Sequence, residues 1–377
     1  MSRCVLRILS LFRCSLAAVA VAVFIGCGSG SAPIAPIRGA GSAPTNAPSS
    51  TPSPSPTTSS SPHATATPTT GPSATPVAPS IYVVSAGGSI SVYGGNVSGT
   101  VAEAPFATIT GSATGLLGAD GIAIDSTGKI YVSNDNSSVE VFPANPSGTL
   151  NEAPIATISG SNTGLSGNIE GIALDANGKI YVANTAGAAG TGAITVYPAN
   201  PVGTLNEAPL ATIGGTNTGL TTPFGLAVDS SGRIYAPGGD QFDNAGTVTV
   251  YAANPSGTLN ESPLATIAGG NTGLDGPWDL AFDAGGKIYV ANQYDSSITV
   301  YAANPSGTLN ESPLATIAGN ATGLDTPTGV AIDGNGKIYV VNNATVTIYA
   351  ANPSGTLNEA PLATITGISG PYAIAVH

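Results

Sequence analysis

Six equivalent positions carry the residues best suited to chemistry. Asp120, Glu170, Phe224, Trp278, Thr328 and Tyr372 each precede a recurring Gly-x-Ala-like segment, and Asp279 stands once in place of its Gly. Aromatic faces beside carboxylates suit a sugar-like or cationic ligand. Asp240 and Asp243 fall in the enlarged loop GGDQFDNAG, where their oxygens suit Ca²⁺, although the spacing is not that of an EF-hand. A divalent cation is therefore the one cofactor to be weighed. A Ser-His-Asp site needs an oriented base, and the only His after His63 is His377, the last residue. Cys4, Cys14 and Cys27 all lie within the first 27 residues, which excludes disulfides, cysteine-bound zinc and cysteine nucleophiles downstream. There is no P-loop and no dinucleotide fingerprint.

These positions belong to a chain that repeats one unit. Tyr251–Gly269, YAANPSGTLNESPLATIAG, recurs letter for letter at Tyr301–Gly319, with near-copies from Phe142, Tyr197 and Tyr349 and a worn copy from Tyr93. An Ile-Tyr pair marks each unit at Ile81, Ile130, Ile180, Ile234, Ile288 and Ile338, giving spacings of 49, 50, 54, 54 and 50 residues. Within a unit, four short runs rich in Val, Ile, Thr and Tyr alternate with Gly, Pro, Asn and Asp. The first two runs are joined by Asp-x-x-Gly-Lys/Arg, as at Asp125–Lys129 and Asp283–Lys287, a tight hairpin turn. The pattern predicts an all-β fold, a six-bladed β-propeller of four-stranded blades.

The ends of the repeat array predict how the ring closes. The first unit begins at Ser80 with its second strand, and the chain finishes with Ala373–His377, which aligns with the first strand Gly121–Asp125. The C-terminal strand is thus expected to complete the N-terminal blade, leaving no open edge. A monomer is expected.

Three regions follow. Residues 1–26 hold Arg3, Arg7 and Arg13 and then the apolar run Leu16–Ile25, a secretory signal. It ends in Phe24-Ile25-Gly26-Cys27, which resembles a bacterial lipobox; that resemblance implies lipidation of Cys27 and an extracytoplasmic protein anchored to the cell envelope, with Gly28 leaning toward the outer membrane. Residues 27–79 are a Pro/Ser/Thr-rich tether that cannot bury a core. At about 3 Å per residue it spans on the order of 150 Å. Residues 80–377 form the repeat domain. There, five Lys or Arg against 21 Asp or Glu give a net charge of −16. That charge repels phosphate backbones, so nucleic acid is not a partner.

The unit GIAIDSTGKIYVSN, with its G-[ILV]-A-[ILV]-D-x-x-G-x-[ILV]-Y-V core, resembles the NHL repeat and is similar to the wider senescence-marker-protein/gluconolactonase-like propellers. The resemblance spans 80–377 and departs from many NHL repeats in having Asn at 134, 184, 292 and 342, and in the long connection NPSGTLNEAP. In the gluconolactonase-like relatives, acids at the channel mouth hold a divalent metal. Asp120 and Glu170 match by position. Three functions are weighed: a platform binding a protein, peptide or glycan at the channel mouth away from the tether; a metal-dependent lactonase-like hydrolase; and a structural spacer of the envelope. Fold alone does not choose among them.

Overall fold

The computed structural model describes residues 79–185, 191–240 and 245–377. The signal segment, Cys27 and nearly all of the tether lie outside the described residues, as does Asp243. Among those described, every regular element is a β-strand, and the strands group into six sheets around a ring.

Each blade starts with an inner strand at the central channel and runs outward. Blade 5 is representative: Pro277–Phe282, Ile288–Asn292, Ser297–Tyr301 and Ala315–Ile317 pair antiparallel in chain order. The residues alternate between the two faces of the sheet, and both faces are covered by neighbouring blades. Six apolar clusters fill the seams; one joins Tyr235, Val248 and Ile267 of blade 4 to Leu280, Ile288 and Val290 of blade 5. The second strands are therefore buried almost throughout, as in Ile288–Asn292.

The Asp-x-x-Gly turn is set locally. The Asp125 carboxylate accepts from the Thr127 and Lys129 amides at 2.8 and 3.0 Å, and from the Tyr131 hydroxyl at 3.2 Å. The same Asp–Tyr bond recurs at Tyr181, Tyr235, Tyr289 and Tyr339. Gly128, at φ +87°, supplies the left-handed conformation the turn requires.

The ring closes as the chain ends predict. Pro371–Val376 is the inner strand of the blade begun by Ser80–Ser85, with Ile81 opposite Val376 and Val83 opposite Ile374. The Ser80 amide donates to the His377 carbonyl at 2.8 Å, and the reverse bond is 3.1 Å.

The four expected strands are present in every blade, and each sheet gains a fifth. Gly-Thr-Leu of the long connection pairs in parallel with the last strand of the preceding blade, as Gly257–Leu259 does with Ala211–Ile213. Gly99–Val101 does the same for the sixth blade, so the closing seam is bridged twice. The Asn of the adjoining Leu-Asn-Glu locks the strap: Asn260 Oδ1 accepts the Asn217 amide at 2.8 Å. Its side chain fills the space over Gly215, where an added Cβ would lie 2.6 Å from Asn260 Cγ. These three-residue straps cap edges that would otherwise offer a long row of unpaired backbone groups.

Candidate functional site

The connections from strand four to strand one, and from strand two to strand three, share one face, called upper here. The Asp-x-x-Gly turns and Ser80 mark the lower face. The upper face is held by buried asparagines. Asn292 Oδ1 accepts the Asp275 amide at 3.3 Å while its amide donates to Thr299 Oγ1 at 3.0 Å, and Asn184 and Asn342 do likewise. Buried amides are thereby satisfied, and the loops above them are fixed.

The six residues at the upper mouth converge on the channel axis. Trp278 stacks on Phe224 with ring centroids 4.2 Å apart and planes at 11°, and meets Tyr372 edge-on at 6.0 Å. The Tyr372 hydroxyl reaches across to Glu170 Oε2 at 3.2 Å, and Thr328 Oγ1 donates to the Tyr372 carbonyl at 2.7 Å. Burial, then the Glu170 and Asp120 charges, pushes the Tyr372 hydroxyl well above its usual range, so it remains a proton donor. Asp120 and Glu170 are buried in the same ring as the aromatics, whose side chains stay half-buried. The cavity left among them is about 100 Å³, room for roughly three waters.

Asp279 belongs to this layer. Its Oδ2 accepts the Val330 amide of the next blade at 3.1 Å. On the other side Gly225 makes room for it: a Cβ there would lie 2.7 Å from Asp279 Oδ1. Burial raises the carboxyl to about 7, against the two amide bonds that lower it. Asp295, in the upper hairpin of the same blade, is raised to about 6 by burial and by the nearby Asp275 charge, despite hydrogen bonds to Ser297 that lower it.

The structure thus brings Asp120, Glu170, Phe224, Trp278, Asp279, Thr328 and Tyr372 into one layer. It does not add Asp240, which ends the strand Ile234–Asp240 in blade 4. Among the described residues, no three His, Cys, Asp or Glu side chains stand close enough to hold a metal together. Two residues of the upper face were missed from sequence: Leu117, 63% exposed, and Tyr294, 45% exposed. Their signal was departure from the repeat, since Ser166 and Asp275 occupy the place of Leu117 in other blades.

No family model matches the sequence, and no curated protein is similar to it. Among solved structures, a protein of unknown function from Bacteroides caccae superposes with a TM-score of 0.53 at 12% identity, over 79% of this chain and 98% of that one. The WD40 β-propeller domain of Doa1 gives a TM-score of 0.39 at 14% identity, over 61% and 64%. The first likeness is one of fold, and the chain is a six-bladed β-propeller.

Proposed function

We propose that the protein is a binding platform of the cell envelope, anchored through a lipidated Cys27, whose upper mouth recognises a protein, peptide or glycan. One observation carries this reading. Blades that are near-copies elsewhere present six different residues at one position, and these meet as an aromatic cluster beside two acids. The fold demands no such variety there, because equivalent positions of a ring face equivalent surroundings. Half-buried aromatics, with exposed Tyr294 and Leu117 on the same face, offer stacking and apolar contact on a rigid base. The mouth is too small to enclose a ligand, so recognition is of a surface or a protruding group. The hydrolase and spacer readings draw on no comparable feature.

Two experiments test the reading. Glycan arrays and displayed peptide libraries are probed with the full chain and with Trp278→Ala; the expected result is binding that the variant loses, with matching melting curves. Binding that survives in Trp278→Ala moves the site elsewhere. A stoichiometric divalent metal, removed by chelator and lost in Asp120→Asn, selects the hydrolase instead. For the anchor, Cys27→Ser is expected to leave the membrane pellet; continued co-sedimentation refutes lipidation.

A further inference from the structure

The larger opening is at the other end of the channel. Ile124, Leu174, Val228, Phe282, Ile332 and Val376 close the inner strands there, one residue before each turn Asp or His377. All six are apolar and only half-buried, although each also packs against a seam cluster. Five of them, all but Leu174, line a cavity of about 570 Å³ open to the lower face. That is within the roughly 300–1,000 Å³ of small-molecule sites.

The charges around this cavity are already engaged. Arg233 pairs with Asp229 at 2.8 Å and donates to Asn304 Oδ1 at 2.6 Å. Asp283 accepts from the Gly285 and Lys287 amides and the Tyr289 hydroxyl. The one lining cation is already paired, so an anion finds no free counter-charge and also meets the acidic field of the domain, and the lining carboxylates are committed to their own turns. The inner strands are sheet edges, so one row of their backbone N–H and C=O groups lies outside the ladders. An occupant matching these walls combines an apolar body with neutral hydrogen-bonding groups. It gains by covering surface that the blades leave exposed.

We propose that the lower vestibule of the channel is a binding site for a small uncharged molecule with an apolar body and neutral polar groups, separate from the upper mouth. Photolabelling the full chain with 3-trifluoromethyl-3-phenyldiazirine, competed by excess N-phenyl-1-naphthylamine, tests this. The expected result is competable label on peptides carrying Val228, Phe282 or Val376, reduced at least tenfold in Phe282→Glu. If that variant does not fold, Val376→Glu replaces it, and the wild-type label map decides by itself. Label that resists competition, that falls only on the upper mouth, or that is undiminished by a carboxylate in the vestibule overturns the proposal.

Discussion

The two mouths of the channel are built by the same six inner strands, four residues apart, and they have diverged in opposite ways. The lower ring keeps one character, aliphatic or Phe, in every blade. The upper ring keeps none. Their carboxyls differ as well. Below, Asp125 and Asp229 are held beneath the usual range because hydrogen bonds from Thr127, Lys129, Ser231 and Arg233 outweigh the burial that opposes them. Above, burial dominates and raises Asp279 and Asp295. The lower end meets a requirement of every blade, a closed turn on an apolar foot. The upper end is released from that requirement, and there the copies specialise.

The strongest challenge to this contrast is to open the ring. Deleting Ala373–His377 removes most of an inner strand and leaves the Gly99–Val101 strap and the packing of Ile81, Val83 and Tyr93 on the sixth blade to hold the closing seam. A loss of about 5 kcal/mol is expected, lowering the melting temperature by on the order of 10 °C or more. An unchanged calorimetric transition would show that the closing strand is dispensable.

Next in size is a pair of glycines. Gly225→Val drives a side chain into Asp279 and the Trp278 carbonyl, where even a Cβ lies 2.7 Å away. It should cost about 2–4 kcal/mol, as overpacking against backbone does, and disturb Trp278 emission. Gly334, in a lower turn, has nothing within 4 Å of an added Cβ, and its φ is not positive. Gly334→Ala should melt with wild type. Equal effects would mean that the crowding is not confined to the upper layer.

The pH dependence separates the two ends. A carboxyl raised by folding binds its proton more tightly in the native state, so it costs stability as pH rises from about 4, the unfolded value, toward 6 for Asp295 and 7 for Asp279. The lowered Asp125 and Asp229 act in reverse: their contribution is present above about pH 4 and is lost as pH falls through their native values. Melting temperature should therefore peak near pH 4–5 and fall by several degrees toward pH 7.5. Asp279→Asn should flatten the upper limb and leave the acid limb in place. An upper limb unchanged by this substitution would remove Asp279 as its cause.

The smallest effect is at the rim. Lys179 Nζ bonds Asn254 Oδ1 at 3.2 Å at the exposed rim. Lys179→Ala should cost no more than about 0.5 kcal/mol; a larger drop would reveal that such pairs help hold the straps.

Much of the fold was legible because its signals are local. Asp125 bonds amides two and four residues on, and its turn is written within five residues. The straps were not legible. Gly-Thr-Leu is three residues among Gly, Asn, Glu and Pro, too short to show a strand period, and its partner belongs to another blade. The upper ring was legible as a set of unusual residues, while the stacking of Trp278 on Phe224 and the bond from Tyr372 to Glu170 were not. The lower cavity gave no sign, since its apolar ring follows the repeat.

The sequence by itself determined the unit, its turns, the number of blades and the order in which they close, because each depends on residues within one repeat or on counting repeats. Tertiary structure alone decided which residues of different blades meet. Trp278 and Tyr372 stand 94 positions apart, and Asn260 reaches Asn217 across a seam. Closing the ring brings such pairs within 3–6 Å, and no short-range preference of the chain encodes that distance.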